Sequence, residues 1–147
     1  MAIGTLQVTN VGKEAVFTDN VNAVNWAADT FRAVLLSAAY TPSTAHALFS
    51  DVSANEITDA GYVRATLANK TSVRTADKIL WDCDNISFGT NVTLSAKYCA
   101  IVHQAGGSLV SGDLLVGVID LNVGAGLVAS SSNASFVINT PNGLFDI

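Results

Sequence analysis

Six runs rich in β-branched and aromatic residues recur along the chain, each closed by turn formers: 31–36 (FRAVLL), 62–67 (YVRATL), 78–81 (KILW), 92–103 (VTLSAKYCAIVH), 114–121 (LLVGVIDL) and 134–139 (ASFVIN). Such segments fit a pleated sheet surface and resist helix formation. Within 92–103, Val92, Leu94, Ala96, Tyr98, Ala100 and Val102 share one face. The opposite face runs Thr93, Ser95, Lys97, Cys99, Ile101, passing from polar to apolar. That pattern predicts a strand that begins half-exposed and ends buried on both sides. Between the two strongest strands, QAGGSLVSGD at 104–113 reads as a hairpin loop whose glycines reach positive φ, and Asp59-Ala60-Gly61 reads as a turn for the same reason. Helical periodicity is weak, with short pieces near 24–30 and 43–51, where Ser43 or Thr44 is placed to cap one turn. Many strands and little helix predict an all-β fold, an antiparallel β-sandwich or jelly roll.

The 147 residues suit one domain. Residues 21–147 carry its strands. The first 20, MAIGTLQVTNVGKEAVFTDN, alternate weakly and read either as an arm ordered against a neighbour or as a first edge strand. Only 13% of residues are charged while 50% are hydrophobic, against about 25% charged in ordinary soluble domains. Contacts between copies of the chain account for such a surface. The longest apolar runs, such as LLVGVI at 114–119, fall far short of the roughly 20 residues of a spanning helix, so a membrane partner is not expected. With a net charge of −5 and seven scattered basic residues, no positive stripe is present to neutralise phosphates, and nucleic acid is not expected either. The N-terminus lacks the basic start and continuous apolar core of a secretory signal, so assembly in a cytoplasm is expected, where Cys83 and Cys99 stay as free thiols.

Three local clusters invite a chemical reading. In DVSANEITDAGYVRATLANKT at 51–71, Asp51, Glu56, Asp59 and Arg64 crowd around a Gly-Tyr step, as a catalytic group or as a decorated turn. WDCDNIS at 81–87 offers Asp82, Asp84 and Asn85 as hard oxygen donors, but the glycine and distant glutamate of a calcium loop are missing, and a polar strand end is the expected reading. His46 and His103 have no partner at metal-ligand spacing. A Cys99–His103 nucleophile pair on one extended strand would be roughly 13 Å apart. Ser108 follows two glycines without the spacing of a nucleophile elbow, and no phosphate loop or dinucleotide fingerprint occurs. Asn69, Asn85, Asn91 and Asn133 begin N-x-[ST] triplets that no glycosylation machinery should meet in a cytoplasm. Trp26, Tyr40, Tyr62, Trp81 and Tyr98 would stack on sugar rings only if exposed together, whereas the apolar surroundings of Trp81 and Tyr98 favour a core role, with Trp81 as the expected core anchor. No catalytic, cofactor-binding or metal-binding residue is assigned on these grounds, and neither an enzyme nor a cofactor is expected.

TFRAVLLSAAYTPSTAHALFSDVSANEITDAGYVRATLANKT at 30–71, ILWDCDNISFGTNVTLSAKYCAIVHQAGG at 79–107, LLVGVIDL at 114–121 and the closing FVINTPNGLFDI together resemble a group of small structural proteins of tailed bacteriophages. DVSANEIT…GY…ATLANKT and AKYCAIVH…LLVGVIDL are the most specific parts. The resemblance implies a virion protein made in the host cytoplasm, a head decoration (cement) protein on the outer capsid surface. Its partners would be the major capsid protein and further copies of itself. It brings no catalytic residues with it. Capsid lattices present three-fold positions, which favours a trimer. A tail or head-fibre base component and a carbohydrate-binding sandwich are the other readings.

Overall fold

The computed structural model describes residues 3–17, 24–74, 76, 79–124, 126, 128–140 and 144–146. In chain order they form β1 (Leu6–Val8), α1 (Asn10–Phe17), β2 (Thr30–Leu36), α2 (Ser50–Ser53), β3 (Ala65–Thr66), β4 (Thr71–Arg74), β5 (Ile79–Asp82), β6 (Ile86–Ser87), β7 (Ser95–Ala96), β8 (Tyr98–Gln104), β9 (Leu114–Asp120), β10 (Ala129–Ser130), β11 (Val137–Ile138) and β12 (Phe145–Asp146). All strand pairings among the described residues are antiparallel, and the chain is an all-β sandwich. A five-stranded sheet runs β1-β9-β8-β2-β3, and smaller sheets β12-β5-β4, β11-β6 and β10-β7 accompany it.

Alternation along β2 and β8 decides which core each residue joins. Phe31, Ala33, Leu35, Cys99 and Ile101 point to one side and pack with Ile86, Ala96, Ala129 and Ile138 from the smaller sheets. Val34, Leu36, Ala100 and Val102 point to the other and are covered by Tyr40, Phe49 and Val52. The central strands are therefore buried on both faces, as expected for the end of the 92–103 run, but Val92, Leu94 and Ala96 join the core of Cys99 and Ile101 rather than sharing a face with Ala100 and Val102. In β9 the register shifts opposite Ile101 and Val102, so that Val102 faces Leu115 and Ile101 faces Gly117. A bulge of this kind adds a residue and bends the strand. Here it groups Leu115 with Val118 in one core and Val116 with Ile119 in the other, where strict alternation would have paired Leu115 with Ile119.

Several expected elements differ. The run 92–103 is two strands, because a bend at Lys97 separates β7 from β8. The run 62–67 contributes only Ala65–Thr66, and 134–139 only Val137–Ile138. Lys78 of the 78–81 run lies outside the described residues. The expected helical pieces at 24–30 and 43–51 are turns apart from α2, while α1 occupies the weakly alternating N-terminal stretch. Its start is fixed by Thr9, whose Oγ1 accepts the Gly12 N–H at 2.9 Å and donates to the Leu115 carbonyl at 2.6 Å. The hydroxyl thus caps the helix and ties it to β9. Of the first 20 residues, 6–8 form an outer strand on β9, while 1–2 and 18–20 lie outside the described residues. The 104–113 loop does join β8 to β9, but positive φ occurs at Gly61, Gly89, Gly124 and Gly126 rather than at its three glycines. The buried Asp113 organises it instead, accepting the Val110 N–H at 2.8 Å and the Ala105 N–H at 3.2 Å.

Gly12 gives a first prediction. A Cβ added there would lie 2.4 Å from the Val116 carbonyl oxygen. Gly to Ala inside a helix ordinarily stabilises by about 1 kcal/mol. At this contact the helix must instead move off β9, and Gly12→Ala should destabilise by about 1–3 kcal/mol in a urea titration.

Candidate functional site

The Asp51–Arg64 stretch is the densest group of charged side chains picked out by the sequence, and folding distributes it into three separate devices. Asp51 Oδ2 accepts the N–H groups of Ala47 and Leu48 at 2.8 and 2.9 Å. These bonds hold its carboxyl below the usual carboxylate range. Asp59 Oδ2 accepts the Ser95 N–H at 2.8 Å, pinning the turn that Gly61 completes at φ 84° to β7. Glu56 receives both Nε and Nη2 of Arg64, at 2.7 and 2.8 Å, and the Tyr62 hydroxyl at 2.9 Å. That hydroxyl also accepts the Leu35 N–H at 3.0 Å, and burial pushes the phenol up, out of range of proton transfer near neutral pH. The Arg64 guanidinium lies 5.0 Å from the centre of the Phe49 ring. Each group holds backbone or a bidentate partner, the arrangement of a decorated turn.

Asp51 sets a pH expectation. Its carboxyl has a lower pKa folded than unfolded, so its contribution to stability is present above the unfolded value. That contribution is lost as pH falls through the folded one. Asp51→Asn should therefore flatten the stability curve below about pH 4, in urea titrations repeated across acid pH.

The other candidates are also engaged. Asp84 Oδ2 accepts from Asn69 Nδ2 at 2.7 Å, Asn85 Oδ1 from the Thr140 N–H at 3.0 Å, and Asp82 Oδ1 from the adjacent Cys83 N–H at 2.8 Å. Among the described residues, no group of three or more His, Cys, Asp or Glu side chains is arranged to hold a metal ion. His46 Nδ1 is 2.7 Å from the Tyr40 hydroxyl, whose pKa burial raises to about 12, and His103 Nε2 is 3.1 Å from Asp29 Oδ2. Asn69, Asn91 and Asn133 adopt φ of 48°, 56° and 47°. Asparagine tolerates this left-handed region better than most residues, which accounts for three of the four N-x-[ST] triplets as turn chemistry. The five aromatic residues do not form an exposed row. Trp26 and Tyr40 are buried, and Tyr62, Trp81 and Tyr98 are half-buried.

Cys83 and Cys99 are free and buried. Burial raises both thiols, Cys83 to about 11 and Cys99 further. Since the thiolate is the reactive form, a disulfide-exchange reagent at neutral pH should label neither in the native protein within minutes and both after denaturation without reductant. Rapid native labelling would show that the sheets open readily.

Lys97 is among the residues that sequence reading placed wrongly, here on the exposed polar face. It is 5% exposed, and its ammonium contacts Asp120 Oδ1 at 2.8 Å, the Asn122 carbonyl at 2.6 Å and the Gly124 carbonyl at 2.9 Å. Three acceptors saturate its three N–H donors. Alternation gave no warning, because the bend at this position rotates the side chain from the solvent face onto the 120–124 loop. Comparison of the chain with family models, with curated proteins and with solved structures finds no match.

Proposed function

We propose that the chain is a non-enzymatic structural protein of a tailed-bacteriophage virion, a head decoration protein that binds the outer capsid surface as an oligomer and stabilises the shell. The observation that carries this reading is a division of labour among side chains. The charged and polar groups that would serve chemistry are committed to holding turns and loops, while Val63, Val73, Val110 and Val123 are more than half exposed. A surface poor in charge and dotted with valine suits burial between subunits or against a shell. The resemblance of 30–71, 79–107 and 114–121 to phage structural proteins supplies the setting. A trimer matches the three-fold positions of a capsid lattice, where three equivalent weak contacts combine. Residues 6–17 include the buried Leu6, Val8 and Ala15, so the shell contact belongs on the exposed valines rather than on a detachable arm.

Light scattering on the purified chain, followed by co-sedimentation with shells assembled without it, tests the proposal. The expected result is a trimer that pellets with shells and loses that affinity on Val63→Glu or Val123→Glu with its melting temperature unchanged. A stable monomer that never pellets with shells would overturn it, and a trimer that pellets with tails alone would assign the chain to the tail.

A further inference from the structure

We propose that the outer edge of β4 is a docking site for an extended acidic segment of another protein, which adds to the β12-β5-β4 sheet as a further strand. The proposal is independent of the capsid reading. In an antiparallel ladder, alternate residues bond their one partner strand and the others direct N–H and C=O outward. Among the described residues, β4 pairs with β5 alone. Open edges of this kind are usually kept very short or covered. The five-stranded sheet follows that rule, ending in three-residue β1, with Leu6 and Val8 buried, and two-residue β3, with Ala65 buried. β4 does not. All four of its residues are exposed, with Val73 at 52%, and its far end is fixed because Trp26 Nε1 donates to the Thr71 carbonyl at 3.0 Å.

Charge selects the occupant. Residues 62–80 hold four of the seven basic residues and one of the twelve acidic ones, in a chain of net charge −5. Arg64 is neutralised by Glu56, Lys70 is turned over the Phe31 ring, 5.8 Å from its centre, and Lys78 and the one acidic residue, Asp77, lie outside the described residues. That leaves Arg74 as the charge on the strand. Its neighbour across the ladder is Ile79, with Trp81 opposite Ser72, and the nearest acidic position on β5, Asp82, faces Thr71 at the opposite end. An incoming strand with a carboxylate beside Arg74 and a β-branched residue over Val73 gains an ion pair and an apolar cross-strand contact together with the ladder.

The probe is a synthetic hexapeptide, Thr-Glu-Val-Glu-Val-Thr, blocked at both ends, added to the intact protein. Its controls are the same peptide N-methylated at alternate amides and a version with Lys in place of Glu. The expected result is saturable binding that slows amide exchange within 71–74, weakened about tenfold by Arg74→Glu and abolished by N-methylation. Equal binding of the N-methylated peptide, protection elsewhere than 71–74, or no binding up to millimolar peptide would each overturn the proposal. Concentration-dependent protection of 71–74 without any peptide would overturn it in favour of a second copy of this chain. Arg74 is exposed, so an unchanged melting temperature for Arg74→Glu separates lost docking from lost folding.

Discussion

Trp26→Ala is expected to cost about 3–5 kcal/mol, the range for deleting a buried aromatic side chain, and so a large part of the roughly 5–15 kcal/mol that holds a domain folded. Trp26 is 4% exposed and joins two sheets. Its ring lies 4.7 Å from Phe31 of the five-stranded sheet and 5.5 Å, edge-on, from Trp81 of β5, between ring centres. Its indole N–H points at the Thr71 and Asp82 carbonyls where β4 meets β5. The sequence reading gave the anchoring role to Trp81, yet Trp81 is half-buried and packs on the core from its margin. Trp81→Ala should therefore cost less than Trp26→Ala in guanidinium titrations. Trp26→Phe, which keeps a ring and loses the donor, should fall between them. The opposite order of the two alanine variants would mean that the sheets are held together elsewhere.

Lys97→Met is the second large effect, expected at about 3 kcal/mol. Methionine nearly preserves the buried stem but leaves Asp120 without its cation and the Asn122 and Gly124 carbonyls without a donor. Breaking a buried pair from one side costs about 3–5 kcal/mol. Asp120 retains about a third of its exposure, so water recovers part of the loss and the lower end applies. Asp120→Asn in the Lys97→Met background should restore some stability by removing the stranded charge, and a double-mutant cycle measures the coupling. Full additivity of the two substitutions would show that the ion pair contributes nothing.

The central sheet was legible in the sequence because its signal is strong and local. FRAVLL, YCAIVHQ and LLVGVID are long, β-branched and apolar on both faces, and nothing in them competes with a strand. The thin elements were not legible. β6, β7, β10 and β11 are two residues each, too short for alternation to register, and they exist because distant segments meet. α1 escaped for a related reason. NVGKEAVF has little helical stripe, and the helix depends on the Thr9 cap and on Gly12 lying against β9, both set by tertiary contact. The Asp51–Arg64 cluster was visible as charges, but its dispersal into three devices depends on where Ala47, Ser95 and Leu35 present their N–H groups. Four of the seven basic residues fall within 62–80, though Arg64 and Lys70 are engaged and Lys78 lies outside the described residues, which leaves Arg74 on a strand that pairs, among the described residues, with β5 alone.

The pairing of β1 with β9 also fixes when the protein can fold. Thr9 bonds the Leu115 carbonyl 106 positions further along the chain, so the N-terminal strand must wait for β9 until most of the polypeptide has left the ribosome, while the helix after it has nearer bonds, Asn10 N–H to the Thr44 carbonyl and Val24 N–H to the Ala15 carbonyl. β2 can pair with two-residue β3 beforehand but must wait for β8 along most of its length. Closing such loops costs entropy before any contact offsets it, and topologies dominated by distant pairs fold in milliseconds to seconds rather than microseconds. Throughout that interval FRAVLL is a sticky strand with the edge that faces β8 left open. Nascent chains are then exposed to mispairing with one another, and the yield should fall as synthesis is driven faster or warmer, well before the folded form itself begins to melt.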